Sequence, residues 1–304
     1  MISVVIPLYN KEKQIGNTLR TVLNQTFQDF EIVVVNDGST DNSAAEVEKF
    51  HDQRIRLVHQ ANAGVSAARN RGIEESKYDL IAFLDADDEW KPSYLETQRF
   101  LYKKYPECSV FACNYEFKDA DGDVRPTIIR KLPFKGSDGV LSNYFEVASC
   151  SHPPLWPSAV MVKKEAILSV GGFRVGIRSG EDLLTWAWLA ARYKITYCPQ
   201  PLSIYFLDDD FSRQPVRKQD LGDPVGKSLT ELQHTYHLPH IRRYISHWHK
   251  MRASTAIRYG ERKETMYEIY KSLSSYPMNY KVVPFFFLAL LPRKLQIYII
   301  SRHK

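Results

Sequence analysis

Residues 80–90 read LIAFLDADDEW. The apolar run from Leu80 to Leu84 has the length and continuity of a strand buried on both faces, and it stops at Asp85, Asp87 and Asp88 with one alanine interposed. A D-x-D on a tight turn can aim two carboxylates at one point. A hard divalent cation can bind there and still keep coordination sites for phosphate oxygens. The same residues also suit a solvated turn that caps the next helix, because Pro92 fits a first helical position and acids favour a helix N-terminus. The rest of the chain decides between the two.

Upstream, Ile2 to Leu8 (ISVVIPL) is a second buried-strand pattern, ending in Tyr9 and Asn10. Ile15, Leu19, Val22 and Leu23 recur at helical spacing, which predicts a helix over about Glu12 to Gln25. Glu31 to Val35 (EIVVV) predicts a strand that runs into Asn36-Asp37-Gly38-Ser39-Thr40-Asp41, with a short helix over Ala44 to Phe50. A further strand, Ile55 to His59, leads through Asn62 and Gly64 into a helix carrying Arg69, Asn70 and Arg71. Strand, polar loop and helix thus alternate with short connections. That pattern implies an α/β fold with a parallel sheet, right-handed crossovers and helices on both faces. The carboxyl ends of such strands converge on one crevice, so Tyr9 and Asn10, Asp37 and Asp41, Asn62 and Arg69, and Asp85 and Asp87 share a rim. This convergence favours the functional reading of the D-x-D. No G-x-G-x-x-G follows the first strand and no G-x-x-x-x-G-K-[ST] occurs, so neither a dinucleotide fold nor a P-loop is indicated.

Four stretches carry a family resemblance in combination: PLYN at 7–10, VVVNDGSTD at 33–41, NAGVSAARNRG at 62–72 and FLDADDEW at 83–90. Together with Gly171-Gly172-Phe173 and Gly180-Glu181-Asp182, they resemble the family-2 inverting glycosyltransferases of GT-A fold over roughly residues 1–215. The resemblance implies an α/β GT-A architecture, a mostly parallel central sheet flanked by helices, followed by a C-terminal helical extension. It implies that Pro7, Tyr9 and Asn10 line the base and ribose pocket, that Asp37 accepts a hydrogen bond from uracil, and that Asn62, Arg69 and Asp85 belong to the donor site. A buried acceptor would discriminate against bases that lack the donor, and a guanidinium can fork onto phosphate or ribose oxygens. The resemblance further implies that Asp85 and Asp87 hold Mn²⁺ or Mg²⁺ on the donor diphosphate and that Asp182 is the catalytic base. Asp41 is expected to cap a helix, and Arg71 to be an exposed helix arginine. The segment 205–214 (YFLDDDFSRQ) departs from the family, where a basic or histidine-bearing loop is common, so a third protein ligand for the metal is not identified.

Composition sets the remaining bounds. With 304 residues, 44% hydrophobic and 25% charged, the chain is an ordinary globular protein. Cys108, Cys113, Cys150 and Cys198 form no C-x-x-C pair and read as reduced thiols. The N-terminus enters a strand pattern at once, and a cytoplasmic location is expected. The net charge of +6 is uneven: from Val225 onward there are 14 Lys plus Arg against 4 Glu and no Asp, or +10, leaving 27 against 31, or −4, before it. After Pro277, the run VVPFFFLALL at 282–291 is too short to span a bilayer, which takes about 20 residues. With its flanking lysines and arginines it reads as an interfacial segment at the inner membrane face, the alternative being a helix buried against the catalytic part. Nucleic acid is not indicated, since no recognition module is present.

The domain reading is residues 1–220 as the catalytic unit (1–115 for the nucleotide sugar, 116–220 for the acceptor) and 221–304 as a basic helical region. The expected reaction is transfer from a nucleotide-diphosphate sugar, a UDP-sugar, to a hydroxyl of a glycan or lipid-linked acceptor, with inversion, in cell-surface polysaccharide synthesis. A nucleotide-sugar-binding scaffold and a sugar nucleotidyltransferase are the rivals. The first would lose the base or the D-x-D, both of which this chain keeps. The second would need a glycine-rich basic N-terminal loop, which it lacks.

Overall fold

A computed structural model describes residues 1–207 and 219–302. In chain order the elements are β1 (Ile2–Leu8), α1 (Ile15–Leu23), β2 (Phe30–Asp37), α2 (Ser43–Glu48), β3 (Ile55–Gln60), α3 (Val65–Glu75), β4 (Leu80–Phe83), β5 (Glu89–Trp90), α4 (Tyr94–Lys104), β6 (Cys108–Lys118), β7 (Val124–Pro126) and β8 (Gly139–Val140). They continue with α5 (Tyr144–Ala148), β9 (Val160–Lys163), α6 (Lys164–Ser169), α7 (Glu181–Arg192), β10 (Lys194–Phe206), α8 (Pro224–Thr235), α9 (Ile241–Tyr259), α10 (Arg262–Ser275), α11 (Val283–Leu290) and α12 (Arg293–Arg302).

The sheet order is β3-β2-β1-β4-β9-β6-β10-β5. The first four strands are parallel, as the alternating pattern requires, with Ile2 to Leu8 in register with Phe30 to Asn36. β9 departs from the alternation: it slots between β4 and β6 antiparallel to both, so the sheet is mixed rather than purely parallel. Side chains alternate across it. Ile2, Val4, Ile6 and Leu8 face α1 and α4, whereas Val5, Ile81 and Phe83 face α3, α5, α6 and α7. Each such apolar side chain withdrawn from water contributes about 1.5–3 kcal/mol.

β10 is the long strand the sequence pattern hides. Pro199 and Pro201 interrupt it, and its register against β6 shifts between Cys198 and Pro201 and again before Ser203. Proline cannot donate to a ladder, so the strand continues only by bulging there. Strand and helix boundaries elsewhere differ from expectation by a few residues at most.

The helical region does not stand apart from the sheet. Val225 and Leu229 of α8 and Tyr244 and Trp248 of α9 share one apolar cluster with Leu184 and Trp186 of α7. Beneath α10, Arg252 donates to Glu268 at 2.5 Å, and His249 lies 2.7 Å from the same carboxylate. Burial alone would raise the Glu268 pKa, but these two partners hold it below the usual range. Removing one partner of such a buried pair costs about 3–5 kcal/mol. In the 282–291 segment, by contrast, Val282 and Ala289 are buried and Phe285 packs against Ala253 of α9 and Ile269 of α10, while Val283, Phe287 and Leu290 face outward. No helix among the described residues is long and apolar enough to cross a membrane. The four cysteines are free, and Cys150 alone is not fully buried.

Candidate active site at the carboxyl edge of the sheet

Arg69 is the hub. It projects from α3, is 3% exposed, and donates through Nη2 to Asp85 Oδ1 at 2.7 Å, while Nη1 lies 3.6 Å from Glu181 Oε1. Its guanidinium also stacks over Phe173, 5.1 Å from the ring centroid. Phe173 is held in turn by Asn70, whose amide oxygen accepts from the Phe173 N–H (2.8 Å) and whose amide nitrogen donates to its carbonyl (2.7 Å). The G-G-F stretch is therefore the clamp that ties the loop before α7 to the arginine helix. Its ring packs edge-on against Phe83 and Trp186. Arg71 pairs with Glu75 on the surface and takes no part.

The turn after β4 splits its three acids. Asp85 and Asp87 are partly exposed; Asp87 accepts from Lys11 Nζ at 2.5 Å. Asp88 points inward, fully buried, and accepts from Ser158 Oγ, which itself accepts from the Asp85 N–H. Burial, then the charges of Asp85 and Asp87, push Asp88 well above the carboxylate range. Thr18 of α1 bonds the carbonyls of Ala86 and Asp88 and fixes the turn from below. Two oxygen-bearing groups thus remain at the rim, each compensated by a cationic side chain. Their hard oxygens and partial exposure fit a divalent cation. Lys11 and Ser158 are site residues that sequence reading passed over. Lys11 directly follows the PLYN stretch, a usable signal; nothing in the local pattern marks Ser158.

Asp37 closes the end of β2. Its Oδ1 accepts from Gln60 Nε2 (2.7 Å) and the Ala63 N–H (2.9 Å), and its Oδ2 from the Gly64 N–H (2.8 Å). The carboxylate therefore fastens the loop into α3, with little acceptor capacity left over. Asn62 donates to the Asp37 carbonyl. Gly38 sits at φ +69°, and a Cβ there would meet the Asn62 nitrogen at 2.8 Å, so only glycine fits this crossing. Asn10, also at positive φ, ties the loop after β1 to the Thr40 N–H, and Asp41 accepts from the Ser43 and Glu12 N–H groups. Tyr9 is half exposed on this rim. Pro7 is buried inside β1 opposite Val35, a strand position rather than part of the loop.

Asp182 occupies the first turn of α7, where its Oδ1 accepts from the Leu183 N–H at 2.7 Å. Burial raises its pKa and the Arg69 charge opposes that rise, leaving the group above the usual carboxylate range. Its charge in turn raises Tyr115, Tyr144 and Tyr244, in each case after burial. Trp156 stacks on the fully buried Tyr115 (5.4 Å) and meets Tyr205 edge-on (4.9 Å), Trp156 and Tyr205 both being partly exposed. The helix start is fixed from behind. Gly180 has φ +83°, and a Cβ there would lie 2.6 Å from the Trp248 ring of α9. Of the segment 205–214 that departs from the family, residues 208–214, Arg213 among them, lie outside the described residues.

One other acidic group deserves comparison. Asp223, His249 and Glu268 bring ligand-type atoms within 4.8 Å of one another. Arg252 supplies the cation there, with Nη1 3.6 Å from Asp223 and Nε on Glu268, so this cluster is an ion-pair network and not a metal cradle.

Residues 3–156, about half of the chain, match the family described as glycosyl transferase family 2. The chain is 48% identical over 99 residues to the uncharacterized glycosyltransferase YibD of Escherichia coli, covering 32% of this chain and 28% of that protein. It is 38% identical over 134 residues to the putative glycosyltransferase EpsH of Bacillus subtilis (41% and 38% covered). It is 30% identical over 191 residues to the putative teichuronic acid biosynthesis glycosyltransferase TuaG of the same organism, covering 61% of this chain and 70% of TuaG. The chain thus spans roughly a third of the length of the first two. Among solved structures, S. aureus TarS 1–349 in complex with UDP matches with a TM-score of 0.66 at 19% identity, covering 99% of this chain and 87% of that one. The same protein in complex with UDP-GlcNAc matches equally well at 16% identity. These establish the GT-A fold.

Proposed function

The chain belongs to glycosyl transferase family 2, and from that premise we propose that it transfers a sugar from a nucleotide-diphosphate donor, a UDP-sugar, to an acceptor hydroxyl with inversion. The observation that carries this reading is the single charge cluster in which Arg69 touches both Asp85 and Glu181, with Asp182 beside it. Leaving-group and attacking-group chemistry would then meet at one guanidinium. The UDP and UDP-GlcNAc complexes of TarS support the choice of donor by analogy.

In this reading Tyr9, Asn10 and Asp37 border the nucleoside, while Arg69 and Lys11 face the diphosphate. Both cations now rest on the carboxylates of Asp85 and Asp87 and are positioned to turn to phosphate oxygens. Asp85 and Asp87 would hold Mn²⁺ or Mg²⁺, which, when bound, offsets negative charge on the departing nucleotide. Asp182 takes the proton from the acceptor hydroxyl on the opposite face, with the partly exposed Trp156 and Tyr205 bordering that side. Residues 1–115 would serve the donor and 116–220 the acceptor. The acceptor class, a growing glycan or lipid-linked saccharide, follows from family analogy alone.

A donor panel with Mn²⁺ tests the proposal, reading nucleoside diphosphate release with and without acceptor sugars, and the product's anomeric configuration by NMR. Release of UDP only when an acceptor is present, with inversion, is the expected result. Pyrophosphate release, or binding of every donor with no turnover on any acceptor, would overturn it.

A further inference from the structure

The exposed apolar side chains of this protein are not evenly spread. Of the 21 large hydrophobic residues standing exposed among the described residues, 12 lie from Tyr267 onward. In α11, Val283, Phe286, Phe287 and Leu290 fall at helical spacing on one face, with Phe287 62% and Leu290 60% exposed. Met278 and Tyr280, just before it, are 72% and 74% exposed. Tyr267 and Tyr270 of α10 and Ile297 and Tyr298 of α12 extend the outward-facing set over three successive helices. Apolar surface gathered in this way marks an interaction site.

Charge identifies the partner. From Arg262 to Lys304 the sequence holds two acids, Glu264 and Glu268. Both are engaged by Arg252, which belongs to α9. Among the described residues no carboxylate pairs with Lys263, Lys271, Lys281 or Lys294. The crowding is visible at His247, which burial, then Lys250, Lys281 and Arg243, push down to about 3. A second copy of this chain would bring the same unpaired cations against themselves, whereas an anionic surface would neutralise them. Tyrosines at 267, 270, 280 and 298 also suit a boundary between an apolar and an aqueous phase, since each has an apolar body and a polar tip.

We propose that the outward face of α10 to α12, centred on Phe287 and Leu290 and bordered by Lys281 and Lys294, docks on an anionic lipid bilayer, lying in its interface without crossing it. The apolar side chains enter the headgroup boundary while the lysines meet lipid phosphates. This inference is independent of the sugar-transfer reading, because it rests on a surface remote in sequence from Asp85 and Asp182.

Flotation of the full chain with vesicles of phosphatidylcholine alone, or with a third phosphatidylglycerol, tests it. Binding is expected only to the anionic vesicles. It should weaken as salt rises from about 0.1 M to about 1 M, where the screening length shrinks from about 10 to about 3 Å. Lys281→Glu with Lys294→Glu should weaken it at least about tenfold, and Phe287→Ser with Leu290→Ser similarly, with an unchanged circular dichroism melt. Equal binding of the lysine variant would overturn the proposal even if the apolar variant failed to fold. So would absence of flotation at low salt, or a sedimenting dimer that the serine variant dissociates.

Discussion

Asp85 and Asp182 lie on one rim, within reach of one arginine, yet their surroundings are opposite. Asp85 and its companion Asp87 are partly exposed and each touches a cation, Arg69 or Lys11. Asp182 is set among the phenols of Tyr115, Tyr144 and Tyr244 and feels Arg69 only through its field. The first environment suits groups that stay charged and gather charge. The second raises the basicity of a carboxylate, as burial does. One kind of side chain thus acquires two environments from packing alone, and the proposed division of roles follows them.

The largest effect expected is at the proposed proton acceptor. Asp182→Asn should lower turnover by about 10²- to 10⁴-fold, the usual contribution of a positioned general base, with donor affinity and metal dependence retained in steady-state kinetics. Turnover close to the parent rate would remove the contrast between the two acids. Next in size is the other side. Asp87→Ala should abolish metal-dependent donor binding, measured by calorimetry with and without Mn²⁺, and lower turnover by about 10²- to 10³-fold, as loss of one transition-state contact does. Chelator-insensitive activity in that variant would show that Asp87 serves only to hold Lys11.

A smaller effect sharpens the comparison through pH. Asp182 must be ionised to act, and burial raises its pKa, so turnover should rise with pH through a limb above the ordinary carboxylate range. Arg69 opposes the rise. Arg69→Gln should therefore move that limb to higher pH, in addition to weakening donor binding. A limb that stays in place would mean that the titrating group is not Asp182.

The carboxyl edge of the sheet was legible in the sequence because parallel strands buried on both faces write themselves as continuous apolar runs, and each ends in a polar stretch at the same edge. Asp37, Arg69 and Asp85 follow from that geometry together with the family motifs, Asp182 from the family resemblance alone, and the structure gathers the last three. Other features depended on contacts distant in sequence. β9 reverses direction inside the sheet, which no local pattern encodes. β10 is obscured by Pro199 and Pro201. The inward turn of Asp88 needs Ser158, 70 residues away. Pro7, expected in the nucleoside pocket, lies in the strand because the ladder between β1 and β2 runs one residue past it. The packing of Trp248 onto Gly180 ties the helical region to the site, and a charge count could not have foreseen it.

Glu181 gives the smallest effect and the finest discrimination. It precedes Asp182 in the same helical turn, is 6% exposed, and lies 3.6 Å from Arg69, so it is the obvious rival base. Its position argues otherwise. It faces the Arg69 guanidinium directly, whereas Asp182 meets that charge only through its field. Glu181→Gln removes one negative charge that competes with Asp85 and Asp182 for Arg69. The arginine then acts more strongly on what remains, which favours ionised Asp182. The pH limb of turnover should move down by less than about one unit, and the rate at neutral pH should change by less than about tenfold. If Glu181→Gln instead lost the activity that Asp182→Asn retained, the roles of the two acids would be exchanged.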